Sequence, residues 1–332
     1  MKVCVVGSTG AVGRKMAEVL LERRFPLREL SLFASERSAG KKLAFGDKEI
    51  TVQKLEEDSG KGIDIALFSA GATVSQKFAP YFAKDGAVVI DNSSAFRMDT
   101  DVPLVVPEVN PEDIKWHKGI IANPNCSTIQ MVVVLSALHR AKKIKRVVVS
   151  TYQSVSGTGQ KAINELKTQL TAIIEGKKPE AKVYPYQIAA NLLPHIDIFL
   201  PNRYTKEEMK MVNETRKIMH ADFGITVTTV RVPVFVSHSE SVNVEFYEPF
   251  HEDEARRILE SAEGVVVCDD PDQFKYPYPL MAEGRDEVFV GRIRQDFSMP
   301  DNCALNIFIV ADNLRKGAAT NAVQIAEKVY TQ

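Results

Sequence analysis

KVCVVGSTGAVGRKMAEVL, residues 2 to 20, decides the first half of the fold. Lys2 to Val6 is a short apolar run without polar alternation, the pattern of a parallel strand buried on both faces. Gly7, Gly10 and Gly13 follow at G-x-x-G-x-x-G spacing. A helix opens within the turn and carries Val12, Met16, Val19 and Leu20 on one face. A strand that passes through a glycine turn into a helix aims free N–H groups and the positive end of the helix dipole at the turn. Phosphate binds in such a place, and the glycines let it come close to the backbone. The spacing departs by one residue from the common G-x-G-x-x-G. The bland alternative is a purely structural turn. The position between strand and helix favours a dinucleotide.

Working outward, ELSLFA, DIALFSA and GAVVIDNSS read as further strands, with a helix near Val74 to Lys84 between the last two. Repeated strand–helix–strand units predict a parallel, doubly wound sheet. The second strand runs into SERSAGKK. Ser35, Arg37, Ser38 and the Lys41–Lys42 pair offer hydroxyls and positive charge, which suits the 2′-phosphate of NADP. Glu36 is the residue type that NAD sites prefer, and a solvated basic loop is the bland reading.

The chain has 332 residues, 45% hydrophobic and 26% charged, with a net charge of −1. That suffices for two domains with real cores. The near-neutral balance speaks against a general binder of nucleic acid or membrane surface. No run of 18 apolar residues and no leader pattern is visible, so a cytoplasmic enzyme is expected. Cys4, Cys126, Cys268 and Cys303 form no C-x-x-C pair, so neither a zinc site nor a disulfide framework is expected. Cys4 and Cys268 read as small buried hydrophobes in strands, and Cys303 as packing.

From about Val147 the pattern changes. Strands VVVSTYQSV, ITVTTVRVPV, ESVNVEFYEP, DEVFVGRIRQ and CALNIFIVAD predict a mixed, largely antiparallel sheet, with helices at QKAINELKTQLTAII and KEEMKMVNETRKIM. Gly176 to Pro201 reads as a long irregular loop. The expected organisation is an α/β Rossmann-type domain at 1–125, completed by a C-terminal helix in 313–332 that carries Ala322, Ile325, Ala326 and Val329 on one face. An α+β catalytic and dimerisation domain spans 126–312.

Cys126 stands in NPNCSTIQMVVVLSAL, after a turn and before an apolar run of helical length. A thiol at a helix start is favoured as thiolate, the nucleophilic form. The polar neighbours Asn123, Asn125, Ser127 and Thr128 suggest a cleft, and donors there could hold an oxyanion. The bland reading is a cysteine serving in a helix cap. A thiol nucleophile beside a nicotinamide suggests thioester chemistry, with hydride transfer to or from the acyl carbon. Such a cycle needs an acid/base and an anion clamp. Among six histidines, His238 ends RVPVFVS and enters a polar loop, where an acid/base belongs. His195 reads as packing, and the others as surface, loop or helix-start residues. Arg231, seven residues upstream, is a candidate carboxylate clamp, or else an ordinary strand arginine.

These motifs together resemble aspartate-semialdehyde dehydrogenase of the bacterial type, across essentially the whole chain. The resemblance rests on GSTGAVG, ASERSAGK, SAG at Ser69–Gly71, DNSSAFRM, NPNCST, QSVSGTG, EEMKMVNETRKI, RVPVFVSHSES and DNCALNIFIVADNLRKGAA. It implies reversible, NADPH-dependent reduction of β-aspartyl phosphate to aspartate β-semialdehyde with release of phosphate, on the route to lysine (through diaminopimelate), methionine and threonine. By resemblance, Cys126 carries the acyl group, His238 is the acid/base and Gln153 positions the substrate. Arg231 binds the α-carboxylate and Glu207, beside Glu208, the amino group. Arg97, Asn125 and Lys210 meet phosphate. Cofactor contacts are implied from Gly7, Ser8, Thr9, Gly10, Ala11, Val12 and Gly13, from Ser35, Arg37 and Ser38 to the 2′-phosphate, and from Asn92, Ser156, Gly157, Gly159 and Asn302 near the nicotinamide. No metal is implied, and family members are homodimers or tetramers of dimers. Two rivals stay open: a reductase of N-acetylglutamyl phosphate, whose blocked amine would leave Glu207 without a purpose, and a non-catalytic NADP-sensing protein.

Overall fold

A computed structural model describes residues 1–331. It divides into two compact units, Met1–Asn125 with the segment from Gly317 onward, and Cys126–Lys316. Residues 313–316, which the sequence reading placed in the first domain, fall in the second unit.

The first unit holds β1 (Lys2–Val6), α1 (Ala11–Glu22), β2 (Glu29–Ala34), β3 (Lys42–Phe45), β4 (Lys48–Thr51), β5 (Gln53–Lys54), β6 (Ile65–Phe68), α2 (Ala72–Lys84), β7 (Val88–Asp91) and β8 (Ile120–Ala122). Its sheet has the order β5-β2-β1-β6-β7-β8, and every pairing is parallel. The apolar run of β1 explains the burial on both faces. Val3 and Val5 face one core with Met16 and Leu20 of α1, while Cys4 and Val6 face a second core with Ala79 and Phe82 of α2. Cys4 is fully buried, and burial pushes its thiol up. β3 and β4 form a small antiparallel hairpin of their own, absent from the sequence reading.

The second unit holds α3 (Cys126–Ala141), β9 (Ile144–Gln153), α4 (Gln160–Ile174), α5 (Lys206–Met219), β10 (Gly224–Arg231), β11 (His238–Phe246), α6 (Glu252–Glu260), β12 (Val265–Val267), α7 (Pro279–Ala282), β13 (Val288–Gln295) and β14 (Ala304–Ala311). The last helix, α8 (Thr320–Tyr330), belongs to the first unit, where Ala322, Ile325 and Ala326 are buried. Arg23 of α1 clasps Glu327 of α8 through two bonds of 2.8 and 2.7 Å.

The second sheet has the order β10-β9-β11-β14-β13-β12. β9 with β10 and β12 with β13 are parallel, and the other pairings are antiparallel. On β11, His238, Glu240, Val242 and Val244 are buried on the face that α3 covers, while Ser241 is exposed on the other. The irregular stretch before α5 is organised from α4. The Glu165 carboxylate accepts the backbone N–H groups of Lys182 and Val183 at 2.7 and 2.5 Å, and Gln169 Oε1 accepts those of Ile188 and Ala189 at 3.0 Å each. Leu193 then exchanges two backbone bonds with Arg231, at 2.9 and 2.8 Å, on the edge of β10.

Among the described residues no helix is long and apolar enough to cross a membrane, and no group of three or more His, Cys, Asp or Glu could hold a metal.

Candidate active site

Register gathers the residues of the second unit. Gln153 ends β9 and pairs with Arg231, which ends β10. β11 runs antiparallel to β9 and starts at His238, beside the Ser239–Tyr152 pair. Thus Gln153, Arg231 and His238 share one end of the sheet, and all three are buried. α3 returns to β9 after two residues, so its first residue, Cys126, lies toward that same end. One turn along α3, Gln130 Nε2 donates to the His238 carbonyl at 3.3 Å, which anchors the start of α3 beside the start of β11.

His238 is fully buried. In the tautomer protonated on Nε2, its Nδ1 accepts the Ser154 backbone N–H at 3.1 Å. The Ser154 hydroxyl also lies 3.1 Å from Nδ1, and it reaches Asn313 Oδ1 at 3.1 Å. Accepting from Nδ1–H while donating to Asn313, that hydroxyl supports the other tautomer, which leaves a lone pair on Nε2. Nε2 has no hydrogen-bond partner among the described residues. Burial, and then the Arg231 charge, push His238 down to about 3, so the imidazole is neutral.

Arg231 is 4% exposed, Nη1 donates to the Ser154 carbonyl at 2.6 Å, and Nε has no partner. Its guanidinium lies 5.9 Å from the Tyr184 ring centroid. Gly157 shows what these groups face. A Cβ there would stand 3.1 Å from Arg231 Nη1 and 3.4 Å from His238 Nε2. The absence of that carbon opens the space into which both groups point.

Glu207 and Glu208 part company in α5. Glu208 is consumed by structure: it closes a capping box with Thr205 and accepts the Thr229 N–H at 3.0 Å. Glu207 turns the other way, its Oε1 3.4 Å from Gln153 Nε2 and its Oε2 3.1 Å from Lys210 Nζ. Lys210 also meets Asp197 at 2.8 Å. Burial works against its charge, but Glu207 and Asp197 outweigh it and hold the ammonium above the usual lysine range. Asp197 and Asn313 were missed in the sequence, one in an irregular loop and the other just past a strand.

Ser156 joins the His238 network, donating to Asn313 Oδ1 at 3.1 Å and accepting from Asn313 Nδ2 at 2.9 Å. Gly159 has φ +93° and starts α4. Asn302 is not brought to this cluster. It precedes β14, whose Ala304 pairs with Glu245, while His238 pairs with Ala311 at the far end. Asn313, two residues beyond that far end, is the asparagine that joins the His238 network through Ser154 and Ser156. Cys303 is half-buried beside Asn302, and Cys268 is half-buried just past β12 rather than inside a strand.

The first unit builds its own constellation. A Cβ on Gly7 would fall 2.4 Å from the Ser69 carbonyl oxygen, and one on Gly13 2.3 Å from the Gly7 carbonyl oxygen. Both positions require glycine. Gly10 is the N-cap of α1 and supplies no capping side chain, so the first N–H groups of the helix remain for an anion. Ser8 Oγ donates to the Phe33 carbonyl at 3.2 Å and holds the turn against β2. Thr9, Ala11 and Val12 complete the turn into α1. Ser35 caps the short 3₁₀ turn Glu36–Ser38, with Ser38 buried and Arg37 exposed. Asn92 Oδ1 accepts Asn123 Nδ2 at 2.7 Å, and Arg97 donates to the Asn123 and Asn92 carbonyls, each at 2.9 Å. Asn123 also accepts from Asn321 at 2.7 Å, so it is a buried structural hub. Asn125 is buried at the end of this unit.

Residues 2–117 match the family model of the semialdehyde dehydrogenase NAD binding domain, and residues 135–316 that of the semialdehyde dehydrogenase dimerisation domain. An aspartate-semialdehyde dehydrogenase of Aquifex aeolicus is 61% identical over 98% of this chain and 97% of its own length. The chain belongs to the aspartate-semialdehyde dehydrogenase family. The Bacillus subtilis aspartate-semialdehyde dehydrogenase is 49% identical over 99% of this chain and 97% of that protein. Aspartate-semialdehyde dehydrogenase II of Vibrio cholerae, solved in complex with ASA, is 49% identical, with TM-score 0.96 over 100% of this chain and 98% of the other. The Candida albicans aspartate-semialdehyde dehydrogenase, solved with NADP, is 25% identical at TM-score 0.75 over 99% and 98% of the two chains. The expected family and both domain classes are thereby shown. As an aspartate-semialdehyde dehydrogenase, the chain is an oxidoreductase whose first unit takes a nicotinamide cofactor. Replacing Gly13 by alanine must displace the turn. The dissociation constant for NADPH, read by fluorescence titration, is expected to rise about tenfold or more as the first turn of α1 shifts.

Proposed function

We propose that the protein catalyses the reversible, NADPH-dependent reductive dephosphorylation of β-aspartyl phosphate to L-aspartate β-semialdehyde, through a thioacyl intermediate on Cys126. The carrying observation is Arg231: a buried guanidinium with an unpartnered Nε and no ion pair to any described residue. A buried cation demands an anion, and the substrate α-carboxylate provides one. The ASA bound in the Vibrio cholerae complex agrees with this reading.

In the oxidative direction the Cys126 sulfur bonds to the aldehyde carbon. His238 Nε2, in the tautomer that Ser154 and Asn313 support, takes the hydroxyl proton as the carbonyl re-forms. When bound, the cofactor supplies the nicotinamide that accepts the hydride. Phosphate then attacks the thioester, and the Cys126 thiolate leaves. Glu207 suits the substrate ammonium and Gln153 orients the acyl group. Lys210, Arg97 and Asn125 are assigned to phosphate, and at Lys210 an oxyanion competes with Asp197. Glu207 also favours this substrate over an N-acetylated one, whose amide carries no charge.

For the cofactor we assign the turn from Gly7 to Gly13, with Ser35, Arg37 and Ser38 on the 2′-phosphate. Asn92, Ser156, Gly157 and Gly159 are assigned to the nicotinamide end, and Asn313 is added to them from the His238 network. NADP in the Candida albicans structure supports that choice. We also assign a homodimer through the second unit, in keeping with its dimerisation-domain match. The face of the sheet away from α3 presents Tyr152 and Phe308, whose rings lie 6.3 Å apart.

The purified chain should reduce NADP when given aspartate semialdehyde and phosphate, and not when phosphate is withheld. Arg231→Leu should raise the KM for aspartate semialdehyde about 100-fold, the worth of a charge-assisted fork, and leave that for NADP within about twofold. An unchanged substrate KM would remove the clamp.

A further inference from the structure

The most deeply buried acid of the second unit has no part in that chemistry. Glu240 is fully buried on β11, two residues beyond His238 on the same face. Across the sheet it faces Thr151 and Ile309, which offer it no charge. Neither carboxyl oxygen has a hydrogen-bond partner as an acceptor. The polar side chain beside this carboxyl is Gln130 of α3, whose amide opposes the rise that burial causes without outweighing it. Gln130 Nε2 is committed to the His238 carbonyl at 3.3 Å, and Gln130 Oε1, also buried, lacks a donor.

The two deficits complement each other. Burial raises the Glu240 carboxyl well above the usual range, which favours its protonated form. A protonated carboxyl has one O–H to donate, and Gln130 Oε1 is the acceptor that lacks one. An ionised carboxylate in this place would be a charge without a cation.

We propose that Glu240 is a positioning residue, which ties the first turns of α3 to the start of β11 through the Gln130 amide and thereby sets Cys126 against His238. Gln130 stands one helical turn after Cys126, on the same side of α3, about 6 Å along the axis. Its other arm holds the main chain of His238. A single neutral side-chain pair therefore spans the two elements that carry the thiol and the imidazole. Loss of the tie frees α3 to slide on the sheet by fractions of an ångström, a displacement to which bond-forming steps are sensitive.

The inference rests on the function proposed above, and the test separates the two. Glu240→Gln keeps an N–H donor for Gln130 Oε1, whereas Glu240→Leu keeps the volume and removes the donor. Turnover of aspartate semialdehyde is read together with the rate at which iodoacetamide alkylates Cys126, followed by peptide mass spectrometry without any substrate. Glu240→Leu is expected to lower kcat about 10- to 100-fold with KM nearly constant, and to slow alkylation in step, while Glu240→Gln stays within about threefold of wild type on both readouts. Gln130→Leu, folded by circular dichroism, should repeat the loss and serves if Glu240→Leu fails to fold. Full activity in the leucine variants would reduce the pair to packing and overturn the proposal. Equal loss in Glu240→Gln and Glu240→Leu would overturn it too, because an ionised carboxylate would then be required. A wild-type chain inactive on aspartate semialdehyde would sink the functional reading, and the alkylation rates would still decide the tie.

Discussion

Cys126→Ala should abolish phosphate-dependent reduction of NADP, with kcat expected to fall about 10⁴-fold or more, as when a covalent nucleophile is deleted. NADPH binding to the first unit should stay within about twofold, since the Gly7–Gly13 turn is untouched. The argument is positional. Cys126 is the first residue of α3, and no acidic side chain occupies that first turn. The N–H groups and dipole there favour the thiolate. α5 shows the contrast, because its first turn holds Glu207 and Glu208 and closes a capping box with the latter. α3 leaves its positive end to a thiol. The rest of α3 is buried from Ser127 to Ser136, so the sulfur is held by a packed helix rather than a loop. Cys126→Ser tests the chemistry without the change of shape. A hydroxyl in the same place is a far poorer nucleophile, so activity should remain lost. Full turnover in the alanine variant would end the thioacyl assignment.

His238→Asn should lower kcat about 10²- to 10⁴-fold, the range for loss of a positioned acid/base, with a much smaller change in substrate KM. Asparagine keeps a polar group near Ser154 but cannot shuttle a proton at the Nε2 position. The same variant carries a stability signature. Unfolded histidine titrates near 6.5, whereas folded His238 is pushed down to about 3 by burial and Arg231. Between those values the unfolded chain binds more protons, so stability falls as pH drops from about 6.5 toward 3. His238→Asn deletes that contribution. Urea midpoints at pH 7 and pH 5 should therefore lie closer together in the variant than in wild type. An equal or wider gap would show that the imidazole protonates freely in the folded state.

The parts legible in the sequence are those governed by local periodicity. KVCVV followed by a glycine turn predicts a strand, an anion site and a helix from neighbours in the chain alone, and the two cores on either side of β1 follow from its alternation. The threshold position of Cys126 was legible for the same reason. Asn302 shows where locality ends. An Asp-Asn pair stands on either side of β14, at 301–302 and 312–313. Which asparagine joins His238 depends on the antiparallel register with β11, a long-range pairing. The β3–β4 hairpin carries a readable signal, the Gly46–Asp47 turn, shortly after the basic Lys41–Lys42 pair. Glu240 had none. An acid in an alternating strand reads as solvent-facing until α3 is laid over it, and only burial reveals that it is neutral.

One bridge has a consequence for how copies of the chain can meet. β10 is the outermost strand of its sheet, and an outermost strand offers unpaired N–H and C=O groups as a template for aggregation. At Arg231 that template is spent, because Leu193 takes both backbone groups. An irregular segment, shaped by two side chains of α4, thus acts as a guard at the catalytic end of the edge. Strand addition by a second chain is blocked there, so the flat side of the sheet is left as the route to orderly pairing. A deletion in the guard would expose the backbone of Arg231, and the first symptom would be insolubility rather than a slower enzyme.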